Sequence, residues 1–352
     1  MRTLIIIVLS IVTFSCNTSK KTTKNIDDDT FKELYSTGEI KKISFIKNGK
    51  LHGISKEYYP NGTLKSKVFL IKGVLQGKYT VYYESGSIKE EGKFVDGEME
   101  GLINQFYENG NLKQSGTAVN GKPQGELTSY YENGKVAEIH TYKEGKTNGP
   151  FLVYYRNGAK KEAGNYVDGI KTGEFSLFHE NGKSKQIATL NEKGEFEGMA
   201  KVFHDNDTLS EICKYVNGKR EGICKNYFNN GQLDQIREYR NGRLENEFKS
   251  YHRNGNIESK GIYQNGFPNG KWEFFHENGK PYQERIWDLG KLMKVNYCFD
   301  EKGNKLNPGN LKDGNGTFYE YDSKGNVIST SIYVEGRRIN HPKNSEIWDF
   351  KY

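Results

Sequence analysis

The chain has little of what a thick hydrophobic core requires. Apolar residues make up 34% of its 352 positions and the mean hydropathy is −0.84. An ordinary globular chain is roughly 45–50% apolar, so one large spherical core is not expected. Proline is scarce at 7 residues, while 13% of the chain is aromatic and 40 residues are glycine. Together these argue against collagen and against plain disorder, which is aromatic-poor. Charge of one sign is not concentrated anywhere. The net +7 comes from intermixed signs, with no basic run beyond Lys20, Lys21 and Lys24, so nucleic acid is not an expected partner. Motifs of nucleophile elbows, zinc proteases, phosphate-binding loops and EF-hands are missing from the sequence. What remains is thin, turn-dense and rich in Tyr and Phe.

The apolar run of residues 4–12 is too short for a membrane-spanning helix, which needs about 20 residues. With Arg2 before it and Ser15 at its end, it has the parts of a secretory signal peptide over residues 1–15. Cys16 at that boundary resembles the lipobox of bacterial lipoproteins. The resemblance implies cleavage before Cys16 and diacylation of its thiol, and Asn17 after it points to the outer membrane of a Gram-negative cell envelope. A plain cleaved signal with an incidental cysteine is the alternative. Residues 16–30 are polar, lack apolar periodicity and are expected to form a flexible tether.

From residue 31 to 339 a period of 24 governs the chain. One ladder of glycines runs through Gly62, Gly86, Gly110, Gly134, Gly158 and Gly182, and a second through Gly49, Gly73, Gly97, Gly121, Gly145 and Gly169. Both slip by one residue at the same place, between Gly182 and Gly194, so the period is a structural repeat and not a coincidence. Sixteen glycines follow an asparagine, the strongest short-range signal for a hairpin, because a primed turn needs positive φ at both central residues. Between turns the apolar pattern alternates, as in Gly77-x-Tyr79-x-Val81-x-Tyr83. Each repeat therefore reads as two strands and two turns. The expected fold is all-β, an elongated array of about 13 hairpins closed by a cap at residues 340–352, where Trp348, Phe350 and Tyr352 lie.

Four residues before each first-ladder position stands an aromatic ring in twelve repeats of thirteen. Tyr82, Phe106, Tyr130, Tyr154, Phe178, Phe203, Tyr227, Tyr251 and Phe275 of this slot form the candidate binding ladder on one face. The next slot holds Tyr59, Tyr83, Tyr107, Tyr131 and Tyr155, then His179, His204, Phe228, His252 and His276, and is expected on the opposite face. The segments Phe106-Tyr107-Glu108-Asn109-Gly110 and Tyr130-Tyr131-Glu132-Asn133-Gly134 resemble the MORN (membrane occupation and recognition nexus) repeat in its bacterial variant form, the form found in YwqK-type antitoxin proteins. The resemblance covers residues 31–339 and implies a MORN-like single-layer twisted antiparallel ribbon. Phe299-Asp300-Glu301-Lys302-Gly303 and Tyr321-Asp322-Ser323-Lys324-Gly325 are closer to the YD repeats of large secreted toxins, and a looser end is expected there.

No catalytic, cofactor or metal site is expected. The carboxylates Glu84, Glu108, Glu132 and Glu180 recur beside turns, whereas a paired-carboxylate site would be singular. Equivalent His in successive hairpins stand roughly 9–10 Å apart, too far to share a metal ion, so they read as stand-ins for the tyrosines. Cys213 and Cys224 flank the Asn217-Gly218 turn and would face each other across it. A disulfide is one reading, two small buried thiols the other. Trp272 and Trp287 fall on strand positions and read as packing residues.

These features favour a non-catalytic, lipid-anchored scaffold for a protein partner. The family resemblance sharpens this to an antitoxin or immunity role, with a toxin as the partner. Glycan or cell-wall binding is the alternative, since ladders of rings in Gly-rich hairpins also resemble choline-binding and wall-binding repeats. Those lean on exposed Trp, and here only three Trp occur. Direct membrane binding by the repeats is a third reading, without a basic stripe to support it.

Overall fold

The computed structural model describes residues 30–340. The expected signal peptide, Cys16, the expected tether up to residue 29 and all but the first residue of the expected cap at 340–352 lie outside them. Among the described residues every regular element is a strand. They divide into two compact units, 30–122 and 123–340, in which antiparallel strands pair mostly with their sequence neighbours.

In the first unit Gly53–Tyr58 pairs with Leu64–Ile71, which pairs with Val74–Tyr82, and that strand with Ile88–Val95. The second unit continues the rule through the pairing of Pro281–Asp288 with Lys291–Phe299. Local connections of this kind follow directly from the turn-dense sequence, because a short loop can only return the chain antiparallel.

The two glycine ladders build different turns. Primed two-residue turns belong to the second ladder, where both central residues have positive φ: Asn48 at 53° with Gly49 at 72°, Lys72 at 52° with Gly73 at 87°. In the first ladder only the glycine is left-handed. Tyr59 N donates to Thr63 O at 2.8 Å and Gly62 N to Tyr59 O at 2.9 Å, enclosing the three-residue loop Pro60-Asn61-Gly62. This is a type I turn closed by a left-handed glycine, with the register shift that such loops impose between Glu57 and Tyr58. The residue inserted after Gly182 sits at Glu192-Lys193-Gly194. There a second-ladder turn has become the three-residue type, with Gly194 N donating to Asn191 O at 2.9 Å.

The buried seam runs three residues ahead of the expected aromatic ladder. Tyr79 is 2% exposed, Phe151 2% and Trp272 3%, whereas Tyr82, Tyr154 and Phe275 are half-buried at strand ends. Seam volumes are matched across strands. Tyr79 lies opposite Gly92, Phe151 opposite Gly164, Phe175 opposite Ala188 and Phe248 opposite Gly261. A Cβ on Gly164 would stand 2.8 Å from Phe151, and one on Gly92 2.8 Å from Tyr79, so glycine is required where the ring lies across the backbone.

The step from Gly303 to Gly325 shortens to 22 residues, and there the sheet pairing changes. Residues Gly316–Tyr321, Val327–Val334 and Arg337–Arg338 form a separate three-stranded sheet. Phe318 from it joins Leu292, Val295 and Leu311 in a buried cluster against Trp287 and Tyr333. Backbone bonds from Leu292 N to Gly336 O and from Gly314 N to Met293 O fix this segment to the preceding hairpin. The stretch expected to be loose is packed back as a cover.

Candidate functional site

Within each unit, neighbouring repeats are joined along both turn edges. On the edge of three-residue loops, the Tyr59 hydroxyl donates to Tyr82 O at 2.8 Å, Tyr83 to Phe106 O at 2.8 Å, Tyr131 to Tyr154 O at 2.6 Å and Tyr155 to Phe178 O at 2.9 Å. The histidines of this slot do the same work with Nε2. His179 reaches Phe203 O, His204 reaches Tyr227 O, His252 reaches Phe275 O and His276 reaches Phe299 O, each at 2.9 Å. A carbonyl acceptor makes Nε2 the donor in every case. Sequence reasoning cast these histidines as ring substitutes. Their hydrogen bond is the property that explains why Tyr and His alternate there.

The loop asparagine adds a second staple. Asn157 Oδ1 accepts Ala159 N at 2.8 Å while its Nδ2 donates to Glu180 O of the following repeat at 3.0 Å. Asn206, Asn254 and Asn278 make the same inter-repeat bond to Asn229 O, Glu277 O and Glu301 O at 2.7–3.0 Å. Over the tyrosine rings of this edge stand cations, with Lys89 Nζ 5.5 Å from the Tyr83 centroid and Lys161 Nζ 5.6 Å from that of Tyr155.

On the opposite edge the primed turns are held by backbone. Gly169 N donates to Thr147 O at 2.8 Å and Gly242 N to Arg220 O at 2.9 Å. A carboxylate from the preceding repeat accepts the N–H of the left-handed residue, as Glu221 does from Asn241 at 2.7 Å and Glu245 from Asn265 at 2.8 Å. A third glycine series carries positive φ inside the strands, at Gly77, Gly125, Gly173 and Gly222, and marks recurrent bulges. With Gly101, Gly149 and Gly198 between them the series keeps the 24-residue spacing apart from one 25-residue step to Gly198, a signal present in the sequence.

The nine ladder residues thus lie along the three-residue-loop edges of the two units, and seven of them, Tyr82, Phe106, Tyr154, Phe178, Phe203, Tyr227 and Phe275, offer their carbonyls as acceptors of these bonds. Tyr130 and Tyr251 occupy the same strand-end position. Cys213 and Cys224 are joined as a disulfide, both fully buried, with Cα atoms 4.3 Å apart. Trp272 and Trp287 lie in strands, as their spacing implied. Among the described residues no group of three or more His, Cys, Asp or Glu side chains is placed to hold a metal ion.

The family model of the MORN repeat variant matches eight segments, residues 51–71, 75–96, 99–120, 123–144, 171–192, 220–241, 244–265 and 268–288. No curated protein matches the chain. Among solved structures, it is similar to the TcdB2-TccC3-Cdc42 complex at 13% identity and a TM-score of 0.17, over 86% of this chain and 18% of that one. It is similar also to the Photorhabdus luminescens Tc holotoxin pore, at 13% identity and a TM-score of 0.18, over 88% of this chain and 19% of that one. The chain therefore spans less than a fifth of either structure's length, at 18% and 19%.

Proposed function

We propose that this array of MORN-variant repeats is a non-catalytic scaffold that binds another protein, held in the cell envelope by a lipid on Cys16. The observation that carries the reading is the repetition of the polar chemistry. The same Tyr or His hydroxyl or Nε2, the same Asn amide and the same Glu carboxylate recur repeat after repeat, and each is spent on joining neighbours. A reaction centre would set one constellation apart from the rest. The sheet face opposite the seam adds support, since it leaves large apolar side chains in solvent. Leu102 is 59% exposed in the first unit, and Ile223 is 58% and Ile262 53% exposed in the second. Apolar surface of this kind suits contact with protein.

An immunity or antitoxin role, in which the partner is a toxin, is the sharper form of the same proposal. The test is crosslinking in intact cells followed by purification of the anchored chain and mass spectrometry. One dominant protein partner is the expected outcome, and a toxin domain within it would establish the sharper form. Wall fragments without a protein partner would replace the proposal by glycan binding. Cys16→Ala is expected to move the protein out of the membrane fraction; retention there would remove the lipid from the account.

A further inference from the structure

The seam changes character between Ala200 and Leu244. Where the neighbouring repeats place Phe151, Phe248 or Trp272, this stretch has Ala200 and Cys224. Where they place Gly164 or Gly261 beside the ring, it has Cys213 opposite Ala200 and Arg237 opposite Cys224. Beside this stretch lies a groove of about 650 Å³, lined by Arg220, Arg237, Arg243, Tyr239, Leu244 and Phe267 among others.

The lining of this groove includes three arginines and no carboxylate. Arg220 Nη2 donates to both oxygens of Glu211, at 2.8 and 3.0 Å, and its Nε to the Tyr215 hydroxyl at 3.1 Å. Burial alone would lower the pKa of Arg220, but the Tyr215 hydroxyl and the Glu211 carboxylate outweigh it and hold the guanidinium charged. Arg237 Nη2 lies 3.5 Å from the same carboxylate and also donates to Asn226 Oδ1, while its Nε is buried without a partner. Both guanidiniums stand over the Tyr239 ring, 5.5 and 6.0 Å from its centroid. Arg243 enters from the Asn241-Gly242 turn and is exposed. The nearby Glu221 and Glu245 carboxylates are engaged by the turn amides of Asn241 and Asn265. Three guanidiniums thus line the groove beside Tyr239, Leu244 and Phe267, with the Glu211 carboxylate bound to two of them and Glu221 and Glu245 held at the turns.

We infer that this groove takes an acidic side chain of a protein partner, Asp or Glu flanked by a large apolar residue. The inference rests on the scaffold reading and places a contact within it. A guanidinium fork matches a carboxylate with two parallel bonds, and Arg243 presents its guanidinium to solvent at the groove. The apolar lining covers the adjacent side chain, which a free anion cannot use.

The test is a displayed library of random peptides selected on the full chain, then titrated against the wild type, Arg243→Glu and Arg237→Gln. Arg243 is exposed, so its replacement leaves folding intact, and circular dichroism controls for Arg237→Gln. Enriched peptides are expected to carry Asp or Glu beside Leu, Ile or Phe and to bind Arg243→Glu roughly tenfold or more weakly. Binding is also expected to weaken with rising salt. Enriched peptides without acidic residues, or acidic ones that bind both variants as they bind the wild type, would overturn the groove assignment while leaving a peptide-binding scaffold in place. No enrichment at all would also overturn it. Inorganic phosphate that binds the groove more tightly than any acidic peptide would reassign it to a free oxyanion.

Discussion

Two stretches of the second unit share a backbone and differ in what fills it. From Phe151 to Tyr166 the seam is ring on ring: Phe151 lies 4.8 Å from Tyr166 and 5.7 Å from His140, with Gly164 beneath. From Ala200 to Tyr239 the rings give way to a disulfide and two arginines, and a groove lies alongside. The edges do not register the change. Asn157 and Asn206 make the same inter-repeat bond, at 3.0 and 2.7 Å, and Tyr155 and His204 reach the same kind of carbonyl, both at 2.9 Å. Edge bonds set the repeat, and the seam is free to vary within it. A scaffold built this way can carry a local recognition site without a change of fold.

That division can be broken most forcefully at the filled seam. Phe151→Ala is expected to cost about 3–5 kcal/mol, because the ring is 2% exposed and the cavity cannot close around a rigid sheet. Denaturant unfolding measures it. In the open stretch, reduction of the disulfide between Cys213 and Cys224, 11 residues apart, is expected to cost about 2–3 kcal/mol, read as a shift in melting temperature with added reductant. Gly164→Ala should cost about 1–3 kcal/mol by forcing Phe151 off its site, since the new methyl would stand 2.8 Å from the ring.

Edge substitutions sharpen the comparison from the other side. Asn157→Ala and Asn206→Ala should each cost about 0.5–1.5 kcal/mol, and by equal amounts, since both lose one inter-repeat bond of the same kind. The smallest effect is one of pH. Burial raises the pKa of Tyr142 and Tyr166 in the filled stretch, with the Lys171 cation opposing it at Tyr166. A raised tyrosine pKa contributes stability that is complete below the unfolded value of about 10 and is lost as pH rises through the folded one. An absorbance titration should therefore show these tyrosines ionising late and melting temperatures falling above about pH 10.

Much of the architecture is legible in the sequence because turns repeat. The 24-residue spacing of glycine places every hairpin, and alternation identifies strands without helices. The choice between turn types is not legible from Asn-Gly pairs, which occur in both ladders. Asn157 keeps a negative φ because its side chain bridges its own loop and the next repeat, whereas Asn241 is left-handed beside Gly242. The buried seam is hidden for a different reason. Its residues range from Trp272 to Ala200 to Cys224, so no single residue type marks the slot, and only the volume of the cross-strand partner makes sense of it. The half-buried ladder of Tyr82 and Tyr154 is uniform and therefore conspicuous. The covering hairpin of residues 316–334 leaves the sheet where the glycine step from Gly303 to Gly325 shortens to 22, a mark of irregularity that does not say how the strands pair.

Hydrogen exchange over the second unit, resolved by mass spectrometry, tests most directly whether the groove is a built feature of an intact scaffold. The strand amides of Phe196–Phe203, Leu209–Val216, Lys219–Tyr227 and Leu233–Arg240 are expected to be protected within about tenfold of those in Lys146–Tyr154 and Lys160–Val167. Exchange in the arginine stretch faster by orders of magnitude would mean that the seam there is locally unfolded, and would contradict the account.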